Sequence, residues 1–219
     1  MGVIVKKSQI TIRRASHDDA GIIADLGLRT FVDSFGADNL PENIEAYVES
    51  SFALDRIEDE LRDLSSRFFL AIDGEKAVGY AKLREGAAPD CVIGSDPVEL
   101  ERIYVDRSVI ASGVGSMLMK RCIAEGRRLN HTTLWLGVWD RNERAIRFYE
   151  KRGFVSVGSK DFVLGSDVQT DLVMSLALEE PGGARQLLST KCSKSFASAS
   201  DSAASDRDQL AGPAARARR

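Results

Sequence analysis

The stretch from Glu99 to Arg128, ELERIYVDRSVIASGVGSMLMKRCIAEGRR, constrains this chain more than any other. Its apolar and β-favouring residues predict a strand over Val98 to Val105, and Asp106, Arg107 and Ser108 predict a polar turn. Gly113 and Gly115 mark a tight bend. From Gly113 a helix follows, with Val114, Met117, Leu118 and Cys122 on its buried face and positive charge at Arg127 and Arg128, which suits a helix C-terminus. A helix opened by glycines leaves its first N–H groups without intrahelical partners and holds the positive end of its dipole there. Without Cβ atoms in the way, an anion such as a pyrophosphate can approach that backbone. The same spacing also serves as a plain tight turn, so by itself it does not separate the two uses.

The remaining pattern places this unit inside a larger sheet. Gln9 to Arg14 alternates as a strand, and Ser16 with Asp19 forms a capping-box variant before a helix carrying Ile22, Ile23, Leu26 and Phe31. Pro41 opens a second helix through Asn43, Ile44, Tyr47, Val48 and Phe52. A third, from Asp55, has Ile57, Leu61 and Leu64 on one face with Glu58, Glu60, Arg62 and Asp63 outside. Phe68 to Ile72 and Ala77 to Leu83 flank Asp73-Gly74-Glu75-Lys76, so they pair as an antiparallel hairpin.

Thr133 to Trp139, TLWLGVW, is apolar enough to be buried on both faces. The helix between it and the strand ending at Val105 makes these two parallel neighbours joined by a right-handed crossover. Asp140-Arg141-Asn142 starts a short helix with Ala145, Phe148 and Tyr149 on one face, ended by Gly153. Phe154 to Val157, Asp161 to Leu164 and Gln169 to Leu176 are strands, the last two joined by a turn at Gly165-Ser166-Asp167. The predicted fold class is α/β, a mixed, mostly antiparallel sheet with one parallel step.

Length and charge bound what such a domain does. The 219 residues allow one domain, placed at 1–180, and a tail at 181–219 rich in Gly, Ala, Ser, Asp and Arg that is expected to be disordered. The net charge is -3, yet seven Lys or Arg against three Asp from Pro181 onward leave residues 1–180 at -7. An acidic domain argues against nucleic acid and fits a small cationic partner, although acidity also simply favours solubility. Cys91, Cys122 and Cys192 show no metal-ligand or disulfide spacing, so no metal is expected. With no long apolar run and no export leader, a cytoplasmic protein without membrane contact is expected, as a monomer or homodimer.

Three blocks in this order, ELERIYV, SGVGS with its helix, and LWLGVWDRNERAIRFYEKRGF, resemble the acetyl-CoA-dependent N-acetyltransferases called GNAT. Together with PENIEAYVESSF and SDVQTDLVM, they resemble the PaiA-type spermidine/spermine N-acetyltransferases within that family. The resemblance covers roughly residues 9 to 178. It implies that the central strand and the next one splay apart and admit the pantetheine arm, which bonds to the backbone of Ile103, Tyr104 and Val105. It implies a phosphate loop of Ala111, Ser112, Gly113, Val114, Gly115 and Ser116, with Ile110 where the family has Gln or Arg. Asn142 would bond the cofactor arm as well as cap its helix, and Lys151 would reach the nucleotide phosphates.

The same resemblance assigns catalysis. Tyr149 would protonate the leaving thiolate: a phenol near pKa 10 suits a positioned relay to a thiol near 8.5. The acceptor ammonium, with a pKa of about 10.4, must lose a proton, and Glu99 or Glu101, two apart on one strand face, could take it through water. Relatives of the ribosomal-protein class place a glutamate where this chain has Gly137. Asp33, Asp38, Glu42, Glu45, Glu49 and Tyr47 would wall the amine site. The function implied is acetyl transfer from acetyl-CoA to a primary amine, spermidine or spermine foremost; a protein or peptide amine, or a non-catalytic acyl-CoA sensor, are the competing readings.

Overall fold

The computed structural model describes residues 10–178. Gln9 and the tail from Pro181 lie outside the described residues. In chain order the elements are β1 (Thr11–Arg14), α1 (Ala20–Phe35), α2 (Pro41–Ser51), α3 (Leu54–Arg62), β2 (Ser66–Asp73), β3 (Lys76–Glu85) and β4 (Pro97–Val105), followed by α4 (Val114–Arg128), β5 (Thr133–Trp139), α5 (Glu143–Glu150), β6 (Val155–Leu164) and β7 (Asp167–Ala177). The strands form one seven-stranded sheet in the order β1-β2-β3-β4-β5-β7-β6. Only β4 and β5 are parallel, because α4 lies between them in sequence and carries the chain back to the starting edge.

Each face of the sheet is covered by helices. Val114, Leu118, Met119 and Cys122 of α4 pack with Val98, Leu100, Leu134 and Leu136. On the other face Ile23, Leu26 and Phe31 of α1, Ile44 and Val48 of α2 and Ile57 of α3 close over Phe68, Leu70 and Tyr80. The entry to α1 is fixed by Asp19, whose carboxylate accepts from the Ser16 N–H at 2.7 Å and from both Arg13 guanidinium nitrogens at 2.7 Å. Those bonds, led by Arg13, hold Asp19 down at a pKa of about 2.

The structure departs from the sequence expectations in four places. Ile22 is 43% exposed, since the inward stripe of α1 runs through Ile23, Leu26, Gly27 and Thr30, one residue further on. In α3 the polarity is reversed at two positions: Glu60 is buried, and Leu64, beyond the helix end at Arg62, is 88% exposed. Met119 is fully buried in α4 while Met117 is only half-buried. Lastly, the two short strands expected around Gly158 are one strand, β6, with a register shift between Ser156 and Gly158. A Cβ at Gly158 would lie 2.7 Å from the Cys91 sulfur, so the glycine marks a close approach and not a break.

Candidate active site

The central feature is where β4 and β5 stop pairing. Their parallel register holds from Pro97–Thr133 through Glu99–Trp135 and goes no further. Beyond that point β4 stays paired to β3 as far as Val105, and β5 stays paired to β7 as far as Trp139. The edge of β4 from Leu100 to Val105 is therefore left without a strand partner. A bulge contributes to the parting: Lys82 of β3 faces Arg102 and Leu83 faces Leu100, so Glu101 is an extra residue that bends β4.

The opening is a cleft of about 190 Å³. Of the residues implied from sequence, it brings together Tyr47, Glu101, Ile103, Tyr104, Asn142 and Tyr149. Its far wall is aromatic, with Phe31, Phe35, Tyr47, Trp139 and Phe162. Phe31 stacks on Tyr47 with ring centroids 4.5 Å apart, and Phe35 meets Trp139 edge-on at 6.2 Å. The carboxylates expected from α1, its following loop and α2 do not line this cleft. On α2 the inward positions are Asn43, Ile44, Tyr47 and Val48, which leaves Glu42, Glu45 and Glu49 on the solvent side. The acidic groups of the cleft come from strands instead, Glu101 from β4 and Asp171 from β7.

At the mouth of α4 the chain takes two left-handed residues, Ala111 at φ 69° and Gly113 at φ 95°. Asp106 prepares this bend: its carboxylate accepts from the Ser108 N–H at 3.0 Å and hydroxyl at 2.6 Å and pairs with Arg29 at 3.0 Å. These contacts hold its carboxyl far below the ordinary range. The Ser112 amide is used by the Val109 carbonyl at 3.1 Å. The amides of Val114, Gly115 and Ser116 occupy the first turn of α4, where a helix supplies no acceptor. Space around Gly113 is open, and a Cβ on Gly115 would meet the Phe148 ring at 3.4 Å and Val105 at 3.7 Å, which joins this turn to β4 and α5.

Lys151 is exposed at the end of α5, but its neighbour Arg152 turns toward the bend. The Arg152 guanidinium donates to Ser116 Oγ and lies 3.4 Å from the centre of the Phe148 ring. Arg152 thus puts a fixed cation beside the free amides, a placement the sequence spacing does not reveal. Ile110 is 38% exposed and supplies no donor there. A chain of phosphates fits the open turn with its amides and guanidinium, and an extended amide-bearing arm fits the free edge of β4.

Asn142 caps α5, its Oδ1 accepting from the Ala145 N–H at 3.1 Å, which leaves its amide nitrogen for the cleft. Tyr149 is 8% exposed. Burial pushes its phenol well above the ordinary value, Arg152 opposes that rise and Asp171 adds to it, so the residue is a neutral O–H donor at physiological pH.

Glu99 and Glu101 are not free carboxylates. Arg84 bridges them, 2.6 Å from Glu99 and 2.7 Å from Glu101. Glu101 is also 3.0 Å from Lys82 and 3.4 Å from Arg102. Glu60, expected on the surface, closes the network from α3, at 3.0 Å from Lys82 and 2.8 Å from Arg102. Burial raises the Glu60 carboxyl, but Arg102 and Lys82 outweigh it and hold the net value below the ordinary range. Glu99 does not line the cleft, and Val105 packs into the α4 side of the core.

The family model of the acetyltransferase (GNAT) family matches residues 32–154. An uncharacterized N-acetyltransferase in the pepI 3' region of Lactobacillus delbrueckii subsp. lactis is 36% identical over 170 residues, which is 77% of this chain and 98% of that protein. One from Mycobacterium tuberculosis is 31% identical over 156 residues, 71% of this chain and 96% of its own. Among solved structures, the PaiA N-acetyltransferase of Thermoplasma acidophilum in complex with coenzyme A matches with a TM-score of 0.63 at 18% identity, over 77% of this chain and 99% of that one. YncA of Salmonella typhimurium with acetyl-CoA matches at 0.56 and 21% identity, over 79% and 96%. Fold, cleft and relatives define an acetyl-CoA-dependent N-acetyltransferase. The chain belongs to the acetyltransferase (GNAT) family.

Proposed function

We propose that this enzyme acetylates a primary amine of a small cationic acceptor, a polyamine such as spermidine or spermine. The observation that carries the reading is the composition of the cleft: aromatic faces from Phe31, Phe35, Tyr47 and Trp139 with the carboxylate of Asp171, beside the parted edge of β4, where the charge of Glu101 is already met by Lys82, Arg84 and the cleft-lining Arg102. Aromatic faces and carboxylates both attract an alkylammonium, while a flexible methylene chain fits between rings. A second depression, lined by Asp38, Asn39, Asn43, Ser166 and Asp167, is separated from the cleft by the hydrogen bond between Gln169 and Asn39. Its two carboxylates suit a distal ammonium of the same acceptor.

In this reading acetyl-CoA supplies an activated acyl group. The free edge of β4 at Ile103 and Tyr104 orients its arm, with Asn142, and the bend around Gly113 with Arg152 and Lys151 faces the phosphates. Tyr149 donates its proton to the departing sulfur. The resemblance leaves the acceptor proton to Glu99 or Glu101 through water; of the two, Glu101 lines the cleft and Glu99 meets it only through their shared Arg84.

Purified full-length protein with acetyl-CoA and a panel of spermidine, spermine, putrescine, lysine peptides and free peptide N-termini, followed by thiol release, tests the proposal. Spermidine or spermine turnover that falls about 10²–10⁴-fold in Tyr149→Phe, with acetyl-CoA affinity unchanged, is the expected result. Turnover with peptides alone would reassign the acceptor. Tight coenzyme A binding without thiol release on any amine would leave a sensor.

A further inference from the structure

We infer that Asp171 of β7 is the group that takes the proton from the acceptor ammonium, in place of Glu99 or Glu101. This rests on the amine-acetylating reading above. Asp171 lines the cleft together with Tyr149, Tyr104 and the aromatic wall. Its backbone pairs with Trp139 of β5 on one side and Lys160 of β6 on the other. It lies beside Gly137, Val138 and Trp139, the β5 residues that line the opening, and Gly137 leaves room there: a Cβ on it would lie 2.7 Å from Lys160 Cε, 2.9 Å from Asp171 Oδ2 and 3.3 Å from Lys160 Nζ. A side chain at position 137 would therefore crowd both the Lys160 and the Asp171 side chains, so the glycine leaves the space that the two share beside the cleft.

Its electrostatic setting differs from that of the two glutamates. Those share Arg84, and Glu101 has Lys82 and Arg102 besides. No hydrogen bond reaches the Asp171 carboxylate among the described residues. Lys160, its cross-strand neighbour, lies 3.8 Å from Glu99 and over the Trp135 ring at 5.4 Å. The charged and titratable groups around Asp171 are Lys160 from β6, Asp140 from the turn after β5, Tyr149 from α5, Tyr47 from α2, and Glu101 with Arg102 from β4. Burial is the main cause that raises the Asp171 carboxyl, to about 6; Lys160 opposes the rise and Asp140 adds to it. The same burial lowers the pKa of an ammonium entering the cleft, so donor and acceptor approach each other.

The proton balance closes within these residues. The ammonium gives one proton to Asp171, and the amine lone pair then forms the C–N bond at the thioester carbonyl as the C–S bond breaks. The sulfur takes the Tyr149 proton, the nitrogen's remaining excess proton restores Tyr149 through solvent, and Asp171 releases its proton to water. Because the Asp171 charge raises the Tyr149 pKa, neutralising Asp171 makes Tyr149 a better donor at the moment it is needed.

Asp171→Asn, which keeps shape and removes only the charge, is compared with the wild type and Glu101→Gln across about pH 5 to 10, using spermidine as the probe and hydroxylamine as an acceptor that needs no base at pH 7. The wild type should show a limb in kcat near pH 6. In Asp171→Asn, kcat for spermidine should drop about a hundredfold or more at pH 7, without that limb and with recovery as pH rises toward the amine pKa. Coenzyme A affinity, Tm and hydroxylamine turnover should be retained, which a merely structural loss would not allow. If Asp171→Asn fails to fold, Asp171→Glu, which keeps the carboxyl, should retain the limb, and its absence there counts against the assignment. An unchanged kcat and limb in Asp171→Asn, or a loss of the limb in Glu101→Gln, overturns the inference while leaving amine acetylation intact. A wild type that acetylates no amine withdraws both.

Discussion

Replacing Lys82 by Met removes one cation from a network in which Glu60, Glu99 and Glu101 face Lys82, Arg84 and Arg102. Lys82 is 2% exposed and does not line the cleft, so the change isolates the network's contribution to stability. Methionine keeps the unbranched stem and its packing against Phe68, over which the Lys82 ammonium now lies at 5.5 Å. What remains is one uncompensated negative charge in a low-dielectric site. Breaking a buried pair in this way costs about 3–5 kcal/mol. For a domain of this size, with about 2–4 °C per kcal/mol, Tm should fall by about 6–20 °C. Adding Glu60→Gln restores balance, since Glu99 and Glu101 then face Arg84 and Arg102. The double variant should therefore be more stable than Lys82→Met alone, with a coupling of about 1–3 kcal/mol. Urea unfolding and calorimetry on the two single variants and the double give the cycle. A shift under about 2 °C in Lys82→Met, or additive losses in the double variant, would show that these contacts do not act as a charge network.

Two further outcomes follow from the local geometry. Asp19→Asn should cost about 1–2 kcal/mol at pH 7, a value discounted because Arg13 is half-exposed. Since the folded pKa is depressed from 3.8 to about 2, the wild-type advantage should be full above about pH 4 and vanish as pH falls through about 2; a difference in urea midpoints that ignores pH would refute this. Gly113→Ala meets no steric neighbour but forces a side chain into φ 95°, costing about 1–2 kcal/mol, and should weaken coenzyme A binding in calorimetric titration. Unchanged affinity and Tm would mean that the bend does not shape the phosphate site.

Much of the scaffold is legible in the sequence because it is local. The hairpin around Gly74, the proline at the start of α2, the limits of β5 at Thr133 and Trp139 and the asparagine cap of α5 are each set by a few adjacent residues. The parting of β4 from β5 follows from the resemblance, and the register confirms it in three paired positions. What misled was periodicity near element ends: Leu64 continues the α3 stripe in number, but the helix has already stopped.

The chain by itself determined the order of strands and helices, the glycine bend before α4 and the inward face of Tyr149, since these depend on side-chain period and on which backbone angles a residue tolerates. Tertiary structure alone decided the charges. Glu60 and Arg102 are 42 positions apart, and Gly137 and Asp171 are brought together by β5–β7 pairing, so neither neighbourhood has a local signature. Carboxylates look alike in a sequence; whether one is neutralised by Arg84 or stands uncovered in a cleft depends on what the fold places within a few ångströms of it.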